Sequence, residues 1–253
     1  MEKRMDNTQK SLLVERDGGV AILTLNRPQA RNAFDRALIA QLMDALREAE
    51  QDDGVSVVLL TGAGLVFCPG GDVKELEALA KAGGALLAQA GNERMELFRA
   101  LHHCPKLVIA GVNGAAIGGG AGLALSCDLV IAAEDAYFAY PEARRGVVPG
   151  VILAGLTRVL GPRRALELIL SGRKLPASEA LQLGLVNKLV PQARLREEAL
   201  AYAREFVTPH LEALRVTKAL FNEVCELGYD DALERGRDVN VRSRPAGGMS
   251  GPR

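Results

Sequence analysis

Two glycine clusters stand where backbone amides could do chemistry. In "VNGAAIGGGAGLALSCD", Val112 to Asp128, the triplet Gly118, Gly119 and Gly120 lies between two apolar runs. In "VVLLTGAGLVFCPGGDVKEL" a β-rich run ends in Gly70 and Gly71 and passes into a helix whose first turn carries Asp72. Glycine inside a helix or strand costs roughly 0.5–1 kcal/mol relative to alanine, so such clusters ask for a reason. A strand-to-helix junction presents unpaired N–H groups at the positive end of a helix. Those groups suit an anion or a developing oxyanion. Close helix–strand packing, or turns with positive φ, is the competing explanation for either cluster alone. Neither is a nucleotide loop: Gly118 to Leu123 reads G-G-G-A-G-L, no G-K-[ST] follows, and the chain has no G-x-S-x-G elbow.

The elements that must position these junctions alternate along the chain. "SLLVER" and "VAILTLN" flank Asp17-Gly18-Gly19 and predict a hairpin. Leu38, Ile39, Leu42, Met43 and Leu46 recur at helical spacing between Asp35 and Gln51. "VSVVLLTG" and "KLVIAGVNG" predict buried strands, Asp72 to about Arg99 a helical segment loosened by Gly83, Gly84 and Gly91, and "DLVIAAEDAYFAYPE" a strand pair. Helices dominate from Val151, interrupted by "LVNKLV". This order argues an α/β fold. Asp72 reads as a residue favoured at a helix start, and His102, His103, Cys68 and Tyr140 as packing or surface residues. With 253 residues, 48% hydrophobic, the chain can bury a substantial core.

Charge and cysteines narrow the function classes. Thirty-one basic residues balance 31 acidic ones, which argues against a nucleic-acid partner. The polar opening "MEKRMDNTQK" and the lack of a long apolar run predict a cytoplasmic protein without a membrane span. Cys68, Cys104, Cys127 and Cys225 form no C-x-x-C pair and read as reduced thiols, and with three histidines no metal site is expected.

Four ordered stretches carry a resemblance: "LNRPQARNAF", "VVLLTGAGLVFCPGGDVKEL", "VNGAAIGGGAGLALSCDLVIAAEDAYFAYPEARRGVVPG" and "LILSGRKLPASEALQLGLVNKLVP". Over about residues 10 to 225 the chain resembles the crotonase superfamily, the enoyl-CoA hydratase/isomerase family. The Gly-, Pro- and Arg-rich composition of residues 236–253 predicts a mobile tail. The resemblance implies a spiral of β-β-α units over residues 1–200 and a C-terminal helical oligomerisation region over 201–235 that builds a homotrimer or a dimer of trimers. It implies an acyl-CoA substrate whose thioester carbonyl sits between the amides of Gly71 and Gly119, which stabilise an enolate. Coenzyme A is then part of the substrate and no separate cofactor is needed. Cys68, Gly70, Asp72, Val73 and Lys74 match the stretch that borders adenine and pantetheine. Arg27, Ala30 and Asn32 match the loop near the pyrophosphate, and Gly118 and Pro141 border the substrate. For Arg27 and Lys74 a plain solvated residue is the competing reading. Pro69 replaces the usual small residue, and after Gly228 the chain lacks the family's usual acidic-glycine and Phe-Leu-x-Lys-Arg-like ending.

The resemblance also separates reactions. Family hydratases hold water between two glutamates, one three residues after the oxyanion glycine, which here is Gly122, and one in a Pro-Glu, which here is Glu142. A single carboxylate suffices for a 1,3-proton shift, so the pattern favours moving an enoyl-CoA double bond. Gly150 stands where dienoyl-CoA isomerases carry an aspartate. Hydration, or hydration with cleavage, through one glutamate is the alternative within enzymes. A catalytically silent acyl-CoA- or RNA-binding homologue is the alternative outside them.

Overall fold

The computed structural model describes residues 10–243. The predicted hairpin is β1 (Leu12–Asp17) and β2 (Val20–Leu25), antiparallel with Asp17 opposite Val20. β2 is buried throughout and forms the inner partner of β3 (Val57–Gly62). Between them α1 (Arg36–Gln51) lays Leu38, Ile39, Leu42 and Leu46 into the core, and its N-cap Asp35 accepts the Leu38 N–H at 2.8 Å.

Three successive units then repeat one arrangement. β3 is followed by β4 (Val66–Cys68), β5 (Leu107–Val112) by β6 (Ala115–Ile117), and β7 (Leu129–Ala133) by β8 (Tyr137–Ala139). The first strand of each unit joins a six-stranded sheet ordered β1-β2-β3-β5-β7-β10, and the second joins a four-stranded sheet ordered β4-β6-β8-β9. Here β9 is Lys174–Pro176 and β10 is Lys188–Val190. β4, β6 and β8 run parallel, so their carboxyl ends point the same way. Parallel strands covered on both faces need near-continuous apolar runs, which is why "VVLL" and "LVIA" are buried rather than alternating. The two-strand units delivering helices form the expected α/β spiral.

Several boundaries differ from the sequence expectation. The segment after Asp72 is two helices, α2 (Val73–Ala82) and α3 (Gly84–His103), because Gly83 takes φ +130°, a conformation no helix continues through. β7 and β8 do not pair with each other but belong to different sheets. α4 (Gly119–Leu125) follows the triplet, and α5 (Gly150–Ser171) is kinked where Gly161 and Pro162 interrupt it. After α6 (Ala177–Gln182), α7 (Leu195–Arg204) packs Leu195, Ala199 and Ala203 onto the large sheet, so the core runs past residue 200. α8 (Leu211–Val224) and α9 (Tyr229–Arg242), like α2, carry no buried residue. α9 makes residues 236–242 helical where the sequence predicts the start of a mobile tail; the rest of that tail from residue 244 lies outside the described residues. Among the described residues no helix is long and apolar enough to cross a membrane.

Candidate active site

The small sheet brings the site together. Its three parallel strands end at Cys68, Ile117 and Ala139, at most one residue before Gly70-Gly71, Gly118-Gly119 and Pro141-Glu142. The Gly118 N–H donates to the Ala139 carbonyl at 2.8 Å and locks the second and third of these ends in register. Phe34 locks the first: its N–H donates to the Gly70 carbonyl and its carbonyl accepts the Asp72 N–H, each at 3.0 Å. The two glycine junctions meet directly. A Cβ on Gly70 would lie 3.2 Å from the Gly119 nitrogen, and one on Gly119 would lie 2.8 Å from Phe34 Cζ and 3.5 Å from Gly70 Cα. One on Gly120 would strike the Cys68 carbonyl oxygen at 2.0 Å. Gly70 and Gly120 are therefore required by close approach of main chain, and Gly119 by the Phe34 ring.

Gly71 and Gly119 differ from their neighbours. Gly70, Gly118 and Gly120 are buried, whereas Gly71 and Gly119 keep partial exposure. Neither of their amides has a hydrogen-bond partner among the described residues. Glu142 lies alongside: its Oε1 sits 2.2 Å from where a Cβ on Gly118 would be, and Gly118 takes φ +55°. The Glu142 Oε2 is buried with no hydrogen-bond partner. Burial pushes its carboxyl above the usual carboxylate range, opposed by a backbone hydrogen bond and the Arg145 charge. The neighbouring Tyr140 hydroxyl is also buried and unpartnered, and burial together with the Glu142 charge raises its pKa. Two free amides beside a desolvated carboxylate can hold a developing negative oxygen and exchange a proton with the carbon next to it.

Other predicted residues take structural posts. Cys68 is fully buried, and burial pushes its thiol up to about 12, so its side chain is sealed in the core rather than bordering a ligand. Asn32 is fully buried too: its Oδ1 accepts the Arg27 N–H at 3.0 Å, and its Nδ2 donates to Ala63 and Val66 carbonyls at 2.9 and 2.7 Å. Asp72 caps α2, accepting the Lys74 N–H at 3.1 Å, and pairs with Arg27 at 3.2 Å. Arg27 also pairs with Asp35 at 2.9 Å and donates to the Ala33 carbonyl. Its guanidinium thus ties the loop to α1 and α2 instead of standing free for a pyrophosphate. Ala30 and Pro141 are half-buried, and Val73 and Lys74 are exposed at the start of α2.

Three contributors carry no signal in the sequence. Phe34 joins the junctions through its backbone, Phe98 covers Gly122, and Arg94 approaches Gly71, with Nη1 3.1 Å from where a Cβ on Gly71 would be. A Cβ on Gly122 would lie 3.1 Å from Phe98 Cε2 and 3.3 Å from Ile152 Cγ1. A cavity of about 770 Å³ opens beyond Phe98 and Gly122, between α3, α5 and α8, but neither Glu142 nor the amide glycines line it. Among the described residues no group of three or more His, Cys, Asp or Glu could hold a metal ion.

The family model described as enoyl-CoA hydratase/isomerase matches residues 15–243. A short-chain-enoyl-CoA hydratase of Clostridium acetobutylicum is 36% identical over 227 residues, 88% of this chain and 85% of that protein. The crystal structure of an enoyl-CoA hydratase from Bacillus anthracis superposes with a TM-score of 0.88 at 30% identity, covering 92% of this chain and 91% of the other. One from Mycobacterium smegmatis gives 0.87 at 32% identity, covering 92% and 91%.

Proposed function

The chain belongs to the enoyl-CoA hydratase/isomerase family, and from that premise we propose that it moves the double bond of an enoyl-CoA thioester, with Glu142 as the single acid/base. The thioester oxygen lies between the Gly71 and Gly119 amides. Glu142 takes a proton from C2 of a 3-enoyl-CoA, the negative charge passes to the thioester oxygen as an enolate, and the same carboxyl returns the proton at C4 to leave a 2-enoyl-CoA. Each oxyanion donor of this kind is worth about 10²–10³ in rate. The observation that carries the reading is Glu142 Oε2, a buried carboxylate oxygen with no partner beside two unpartnered amides.

Gly122 supports the double-bond shift over hydration, because it supplies no second carboxylate and a Cβ there would already crowd Phe98 and Ile152 at 3.1 and 3.3 Å. A hydratase needs a water held by a base on one side and an acid on the other. The names of the relatives favour hydration, which therefore stays as the second reading, carried out through Glu142 alone. The CoA moiety runs past Ala30 and the exposed start of α2 at Val73 and Lys74, with Gly70, Gly118 and Pro141 bordering the thioester. The same reading brings a homotrimer or a dimer of trimers. The test supplies 3-enoyl-CoA and 2-enoyl-CoA separately and follows products: isomerisation should exceed hydration of crotonyl-CoA, and hydration well above isomerisation overturns the choice.

A further inference from the structure

The geometry points to Arg94 as the residue that selects the acyl group, and to a substrate whose acyl chain carries a second carboxylate, a mono-CoA thioester of a short dicarboxylic acid. The inference deepens the reading above and rests on its placement of the thioester at Gly71.

Arg94 is a half-buried cation without an anion. Its Nε donates to the Ala90 carbonyl at 3.0 Å, one turn back in α3. Its two terminal nitrogens have no hydrogen bond and no ion pair among the described residues. Other arginines of the same region are matched: Arg27 has Asp35 and Asp72, and Arg36 has Glu93. Glu75 and Glu93 favour the Arg94 charge from outside ion-pair distance, and each is already engaged, Glu75 by the Arg36 N–H at 3.2 Å and Glu93 by the Arg36 guanidinium. Burial accordingly lowers the Arg94 pKa despite those carboxylates.

The guanidinium is half-buried and its terminal nitrogens are not among the sealed, unpartnered atoms, so water meets them before a ligand binds; an anion in the fork would replace that water with charge-assisted hydrogen bonds. The direction of the side chain says where that anion lies. Nη1 stands 3.1 Å from the position of a Cβ on Gly71, so the fork faces the residue whose amide receives the thioester oxygen, and a side chain there would press on the guanidinium. An acyl chain entering at Gly71 starts beside the Arg94 fork. A carboxylate a few carbons from the thioester meets the fork, whereas a neutral chain leaves it unmatched. Charge-assisted pairs outweigh neutral ones about twofold in strength and lose most when one partner is left buried alone.

Binding of saturated, non-reacting thioesters tests this without turnover. Calorimetric titration of the full chain with adipyl-CoA against hexanoyl-CoA, and glutaryl-CoA against valeryl-CoA, should show the dicarboxylic member of at least one pair bound about 10-fold or more tightly. Arg94→Met should bring that ratio to about one, and Arg94→Lys should keep part of it, since the ammonium retains charge but loses the fork. Equal affinities within both pairs of the wild type, or a preference that survives Arg94→Met, overturns the proposal. So does a loss shared equally by both members of a pair, which assigns Arg94 to a CoA phosphate. A carboxylate preference with no double-bond shift on the matching 3-enoyl thioester refutes the isomerase reading and leaves this one standing; failure of every acyl-CoA to bind refutes both.

Discussion

The Glu142 carboxylate fills the place a Cβ on Gly118 would need, so the same glycine that permits a φ of +55° also admits the base. Burial raises the Glu142 carboxyl, which means the folded state holds that proton more tightly than the unfolded chain. The sign follows from linkage: ionising the group weakens the fold as pH rises from the unfolded toward the folded value, and the penalty is complete above the latter. Glu142→Gln removes both the base and the penalty. Turnover should fall by at least about 10² while the thermal midpoint at neutral pH rises, and the wild-type rate should decline on the acid side at a pH above the ordinary carboxylate range. Equal turnover in both proteins would remove Glu142 from the chemistry. A lower midpoint in the variant would show that the carboxylate is structurally paired after all.

At the scale of elements, three parallel strand ends in the small sheet place the glycines and the glutamate, and α3 closes the site from the side with Arg94 and Phe98. The absence of a carboxylate at position 122 is thus built into packing as well as sequence. Gly122 is buried in α4, and Phe98 and Ile152 meet the space above it at 3.1 and 3.3 Å. Gly122→Glu should therefore destabilise the protein by about 1–3 kcal/mol through overpacking and a buried, unmatched charge, read as a lower urea midpoint, without raising crotonyl-CoA hydration. A variant that folds as well as wild type and hydrates crotonyl-CoA faster would show that the helix yields and that only the missing carboxylate separates the two reactions.

For the whole molecule, the core is closed by α7, while α8 and α9 ride on it without a single buried residue. One tie is specific: Lys218 on α8 reaches Asp128 at 2.6 Å and the Lys106 carbonyl at 3.0 Å, and Asp128 in turn accepts the Val108 N–H at 2.7 Å. The remaining apolar surface is open, with Phe221 64% and Val241 63% exposed. In the proposed assembly α8 and α9 are the helices that would meet a neighbouring copy. Sedimentation equilibrium should give three or six times the 26.9 kDa chain mass, and a monomer at micromolar concentration would contradict the proposed assembly.

The sequence by itself determined the α/β class and both glycine-rich strand-to-helix junctions, because turn and core patterns are local and each junction is written in adjacent residues; the choice of Gly71 and Gly119 within them came from the family resemblance. The sequence also determined that position 122 lacks a carboxylate and that Asp72 starts a helix. It misplaced what depends on distant partners. "DLVIAAEDAYFAYPE" reads as one strand pair, yet the sheets take one strand each; which neighbour a short strand joins is settled by edges far away in the chain. Arg27 and Asn32 look like ligand residues in a motif, but carboxylates and carbonyls 6–45 residues away engage their side chains. Arg94 and Phe98 show nothing locally, since α3 carries little helical periodicity, and only its docking beside Gly71 and Gly122 gives them a place at the site. The desolvation of Glu142 has the same origin: a carboxylate's environment is made by packing, and packing joins residues that the sequence keeps apart.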